Sequence, residues 1–157
     1  MKILTGRLRM NTAKHLKDWN LPPLQKKSFL YWIKAYGPAV ILASLLGTYL
    51  DLYLVGKKMY MFPIRPFPEV FSINIAFTLI GLPIIVFFYL LLMNQINKWG
   101  RFGLILFLSL VMPIFERFFE LFGFFIHSSN WKHIYTFFGY VLFLTLIYKF
   151  YQWTSKR

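Results

Sequence analysis

The chain has 157 residues, of which 58% are apolar and 22% aromatic, well above the roughly 45–50% apolar share of soluble domains. A net charge of +13 would direct a soluble protein toward nucleic acid, but here the basic residues crowd the N-terminus and the gaps between apolar segments, so the expected partner is a lipid bilayer and not nucleic acid. Without a cysteine, disulfides, thiolate chemistry and cysteine zinc sites are excluded.

Residues 1–35 form a basic segment carrying Lys2, Arg7, Arg9, Lys14, Lys17, Lys26, Lys27 and Lys34. It has no apolar stretch followed by a small-residue cleavage site, so no cleavable signal peptide is expected. Pro22 and Pro23 in "NLPPLQ" stop any helix. After them, "LQKKSFLYWIKAY" mixes lysines with Phe29, Leu30, Trp32 and Ile33. This pattern reads either as an interfacial helix drawn to anionic lipids at the cytoplasmic face or as a topology signal continuing into the first span.

Residues 36–157 read as a transmembrane domain. Four apolar stretches, near 36–55, 70–93, 102–126 and 134–153, approach the roughly 20 residues a helix needs to cross a bilayer core. The spacers "GKKMYMFPIRPFPE", "NQINKWGR" and "HSSNWKH" carry the turn-forming and polar residues. The fold class expected is therefore an all-α integral membrane protein, a four-transmembrane-helix bundle with a basic, partly interfacial N-terminal segment. Basic residues concentrate in the N-terminal segment, at Lys98 and Arg101, and at Lys149, Lys156 and Arg157, whereas the other side has Lys57, Lys58, Arg65 and Lys132. That bias predicts a multi-pass protein of the cell membrane with both termini cytoplasmic, and Trp32, Trp99, Trp131 and Trp153 fall where an interfacial aromatic belt belongs.

Polar residues inside the spans supply the candidate site. In the first span Ser44, Gly47, Thr48 and Asp51 share a stripe, and in the second Asn74, Thr78 and Gly81 do; small and hydroxyl residues of this kind let helices approach and hydrogen-bond. In the third, "PIFERFFELFGFF" sets Glu116, Arg117 and Glu120 among phenylalanines. At roughly 100° per residue Glu116, Glu120, Gly123 and His127 lie on one face. With the termini inside, Asp51, Asn74, Glu116, Glu120 and His127 fall in the outward half and form an expected polar crevice, with Arg117 as a partner for one of the acids. Intramembrane charges are expensive, so they are paired, hydrated or functional.

Several chemistries are set aside at this level. His127 lies seven residues beyond Glu120, about 10.5 Å along a continuing helix, which is far for a shared ion, so no metal site is assigned. His127 and His133 flank a short loop and read as solvated or interfacial. There is no GxSxG, HExxH or nucleotide-binding glycine loop, so no catalytic residue and no cofactor is assigned, and an enzyme is disfavoured.

The order "GTYLDLYLVG" (47–56), "GLPIIVFFYLLL" (81–92) and "FERFFELFGFFIHSSNWKHIYTFFGY" (115–140) resembles a family of small uncharacterised multi-pass membrane proteins of spore-forming bacilli and clostridia. In that pattern an early-span acid precedes a later-span Glu, an aromatic Gly-Phe turn, a Trp-Lys pair and a Tyr-containing last helix. Asp51, Glu116 or Glu120, Gly123, Trp131 and Lys132 are the matching positions. The resemblance implies a bacterial membrane protein and assigns it no activity. Taken together, the sequence leads one to expect an accessory or structural component of a membrane, envelope or spore assembly, with a homo-oligomer or a membrane-protein partner. The alternative is a protein that handles a small solute, proton or ion through the acidic crevice.

Overall fold

The computed structural model describes residues 29–129 and 131–155; the proline pair and most of the basic segment, with Lys26 and Lys27, lie outside them. Four helices dominate: α1 (Phe29–Gly56), α2 (Leu82–Gln95), α3 (Lys98–Leu121) and α4 (His133–Ser155). All four, α2 counted with the π-helical turn Phe77–Gly81 that leads into it, are long and apolar enough to cross a membrane. In lipid each backbone polar group must be satisfied within its own segment, and a helix does this along its whole length. Two short strands, β1 (Tyr60–Met61) and β2 (Ile126–His127), pair antiparallel with Tyr60 opposite His127 and Met61 opposite Ile126.

Helix α4 packs against both α1 and α3, while α2 packs on α1 and touches α4 more lightly. The common core joins Tyr36, Ala39 and Ala43 of α1 to Val86, Leu90 and Met93 of α2 and to Leu144, Ile147 and Tyr151 of α4. α3 leaves Phe107, Leu110, Ile114, Phe118 and Leu121 exposed, an apolar surface that suits lipid.

The boundaries that differ most from the hydropathy reading do so for local reasons. α1 starts at Phe29 and passes without a break through the expected division at residue 35, so the last basic turn, with Lys34, is part of the spanning helix. Pro38 sits inside it, which removes the donor for the carbonyl one turn earlier. The second span starts at 77 rather than 70 because residues 62–71 form a knot around Arg65. Its guanidinium donates to the carbonyls of Phe62 (2.6 Å), Phe71 (2.6 Å) and Pro68 (3.2 Å), and Phe67 is held at φ +52°. α3 ends at Leu121 rather than 126 because Gly123 adopts φ +73°. The Gly123 N–H then donates to the Glu120 carbonyl and Phe124 N–H to that of Phe119, the Schellman closure that favours glycine at this position.

The small-residue stripes meet. A side-chain carbon added at Gly47 would run into the end of the Leu82 side chain, so glycine leaves room for Leu82 where α1 and α2 meet. Beside it the Ser44 hydroxyl donates to the Thr78 carbonyl at 2.7 Å. That carbonyl needs an outside donor: in the π-turn the Leu82 N–H goes to Phe77, and the residue five beyond Thr78 is Pro83, which has no N–H.

Candidate functional site

The polar residues gather at the end of the bundle where α1 and α3 finish and α4 begins. The β1–β2 pair is what assembles them. It fastens the loop after α1 to the loop after α3, reinforced by the Ser128 N–H donating to the Met59 carbonyl (2.9 Å). Phe125 is buried beneath the pair, against Tyr60 (ring centroids 4.9 Å apart), Phe62 (5.3 Å) and His127 (4.6 Å).

Asp51, near the end of α1, accepts the Tyr60 hydroxyl at 2.5 Å. Burial, then the negative charge of Asp51, pushes the Tyr60 phenol far above its ordinary range, so it acts as a fixed donor. On α3, Glu116 Oε2 accepts the Thr136 hydroxyl of α4 at 2.8 Å, and Thr136 Oγ1 in turn accepts from the Trp131 indole at 3.3 Å. Glu120 Oε1 accepts both from His127 Nδ1 and from the His127 backbone N–H (3.2 Å).

This last contact reverses the distance expected from the sequence. His127 does not continue up a helix away from Glu120; the turn at Gly123 brings it back down, and its side chain is only 9% exposed. Its Nε2 points at Glu116 Oε2, 3.5 Å away. His133, at the start of α4, lies against it with ring centroids 4.9 Å apart. One donor atom each from Glu116, His127 and His133 fall within 4.8 Å of one another. Neither His127 Nε2 nor His133 Nδ1, both buried atoms, has a hydrogen-bond partner. A cleft of about 380 Å³ lined by Arg117, Glu120, Leu121, His127, Trp131 and His133 opens beside them.

The other expected members stand apart. Arg117 is exposed and makes no ion pair among the described residues; the acids take Tyr60, Thr136 and His127 in place of it. It is one residue, about 100°, off the acidic stripe, and its long side chain reaches outward to wall the cleft. Asn74 is occupied at the start of the π-turn, where its side chain accepts from the Phe77 N–H at 3.2 Å. Tyr60, Thr136 and His133 were not among the expected crevice residues. None follows a periodic pattern from Glu116: Tyr60 arrives on β1, and Thr136 and His133 arrive together on the first turn of α4.

Compared with known proteins, the chain matches no family model, no curated protein and no solved structure.

Proposed function

We propose that this multi-pass membrane protein handles a small cation, proton or metal, at the end of the bundle formed by Glu116, Glu120, His127 and His133. The observation that carries the reading is the buried, unpartnered His127 Nε2 aimed at the Glu116 carboxylate, with a second unpartnered nitrogen on the adjacent His133 ring, beside an open cleft. Buried polar atoms without partners are uncommon and costly, and lone pairs converging from three side chains repel one another unless a positive charge lies between them. The distribution of basic residues puts both termini in the cytoplasm and this end on the far side of the cell membrane. The basic charge of the N-terminal segment supports attraction to anionic lipids.

The accessory, structural role has its own support. The Asp51–Tyr60, Glu116–Thr136 and Glu120–His127 bonds each tie a helix to a loop or to another helix, as a framework for an envelope or spore-membrane partner would require. The two readings separate in proteoliposomes. With Glu116→Gln, proton or cation flux, or cation binding, falls under the first reading while the fold survives. Under the second, wild type shows neither flux nor binding, and the substitution acts on thermal stability alone.

A further inference from the structure

Resting on the cation reading above, the geometry points to a divalent transition-metal site, of the Zn²⁺ class, in which Glu116 Oε2, His127 Nε2 and His133 Nδ1 are the three protein ligands and the cleft supplies an open fourth position.

Spacing decides between a proton and a metal. A proton shared by His127 and Glu116 would draw nitrogen and oxygen to roughly 2.7–3.2 Å. They stand 3.5 Å apart, and the Nε2 atom makes no hydrogen bond. Two ligands on a tetrahedral zinc, each about 2.1 Å from the ion, are separated by roughly 3.4 Å. The third donor lies within 4.8 Å of the other two, so a shift of the His133 imidazole by at most roughly 1.4 Å brings it to the ligand separation that zinc bond lengths set.

The supporting residues are those a metal centre needs. His127 Nδ1 is engaged by a carboxylate, which can only accept. The ring proton is therefore on Nδ1 and the lone pair on Nε2, the tautomer a metal requires. A carboxylate–histidine arrangement of this kind orients the ring and raises its basicity, which makes Glu120 a positioning residue. The Thr136 hydroxyl, donating to Glu116 Oε2 at 2.8 Å, fixes the orientation of that carboxylate. Two imidazoles and one carboxylate favour Zn²⁺ and its neighbours over Mg²⁺ or Ca²⁺, which prefer all-oxygen shells. The fourth position opens toward the cleft walled by Arg117, Trp131 and Leu121, where a water or small anion completes the shell.

The test uses tag-free full-length protein in detergent, titrated with Co²⁺ and followed by its visible absorption, then with Zn²⁺ in competition. One Co²⁺ per chain with the intense bands of a four- or five-coordinate nitrogen–oxygen site is expected, displaced by Zn²⁺ and unaffected by excess Mg²⁺. His133→Ala and Glu116→Gln should abolish the bands, and Lys149→Met, an exposed position toward the opposite end of α4, should leave them unchanged. Glu120→Gln keeps all three ligands and an acceptor for His127, so it should retain the spectrum with affinity lowered by about 10–100-fold. That variant keeps the inference testable if a ligand substitution fails to fold, as circular dichroism will reveal. Absence of Co²⁺ binding by folded wild type, or equal binding by folded His133→Ala, overturns the metal site. If metal binding is absent yet Glu116→Gln lowers proton flux in vesicles, the metal falls and the wider cation reading stands; if both are absent, both fall.

Discussion

The two ends of this bundle handle polarity in opposite ways. At the end where α1 begins and α4 finishes, Asn94 donates to the hydroxyls of Tyr36 (2.7 Å) and Tyr151 (2.6 Å), whose rings stack 5.1 Å apart. Arg101 donates to the Met93 carbonyl at 2.9 Å and lies over the Tyr148 ring. Every partner of Asn94 and Arg101 there is neutral, and Val86, Leu90, Met93 and Ile147 are fully buried alongside. At the opposite end, three carboxylates and two imidazoles converge, and two imidazole nitrogens are left without a partner. One end is satisfied by its own residues; the other is the end to which the proposed cation is assigned. A protein that needed only a stable bundle would gain from making both ends alike, and the difference is what supports placing the proposed cation site at the second end.

Substitutions can break or sharpen this contrast. The largest loss is expected from Met93→Ala in the satisfied core, about 2–5 kcal/mol, measured as reversible unfolding in mixed micelles. A cost near zero would mean that the helices are not packed as tightly as burial implies. Ser44→Ala should follow at about 1–3 kcal/mol, because it strands the Thr78 carbonyl that neither Leu82 nor Pro83 can serve. Ser44→Thr, which keeps a hydroxyl, should recover part of that loss by the same assay.

At the other end the sign should change. Glu116→Gln retains an acceptor for Thr136 and adds an amide N–H able to donate to an imidazole lone pair. In chelator-treated protein it should leave thermal stability unchanged or raise it by about 1 kcal/mol. A clear loss would instead identify the carboxylate as a structural tie. Lys58→Gly tests the backbone beneath the site. Lys58 holds φ +56° just past α1, where its N–H and that of Met59 donate to the Val55 and Leu54 carbonyls, the closure in which glycine is preferred. A gain of about 0.5–1 kcal/mol in melting experiments is expected from relieving it. The smallest effect belongs to Arg117→Met, within about 0.5 kcal/mol for an exposed side chain without an ion pair. A large loss there would restore Arg117 as a partner for one of the acids.

How much of this was readable without the structure differs between the ends. The stripe of Ser44, Gly47, Thr48 and Asp51 was visible as small and polar residues at helical spacing, and it does face the second span through Ser44–Thr78 and Gly47–Leu82. The wheel also set Glu116, Glu120 and His127 on one face, but by extending a helix that ends at Leu121. They do come together, through a turn at Gly123 and a strand pairing, and along a path that shortens the separation instead of lengthening it. Arg117 looked like a partner because charge at close sequence spacing is easily seen, whereas the competing partners Tyr60 and Thr136 come from elsewhere in the chain. His133 looked like a loop histidine, although it opens α4 and touches His127.

The sequence by itself determined four helices long and apolar enough to cross a membrane and the faces on which their small residues lie, because in lipid a helix satisfies its backbone locally and hydropathy records that local requirement. Tertiary structure alone decided the candidate site. Pairing Tyr60 with His127 joins two loops far apart in the chain, and that pairing, with the left-handed turn at Gly123, sets His127 Nε2 against the half-buried Glu116 carboxylate, with His133 beside it.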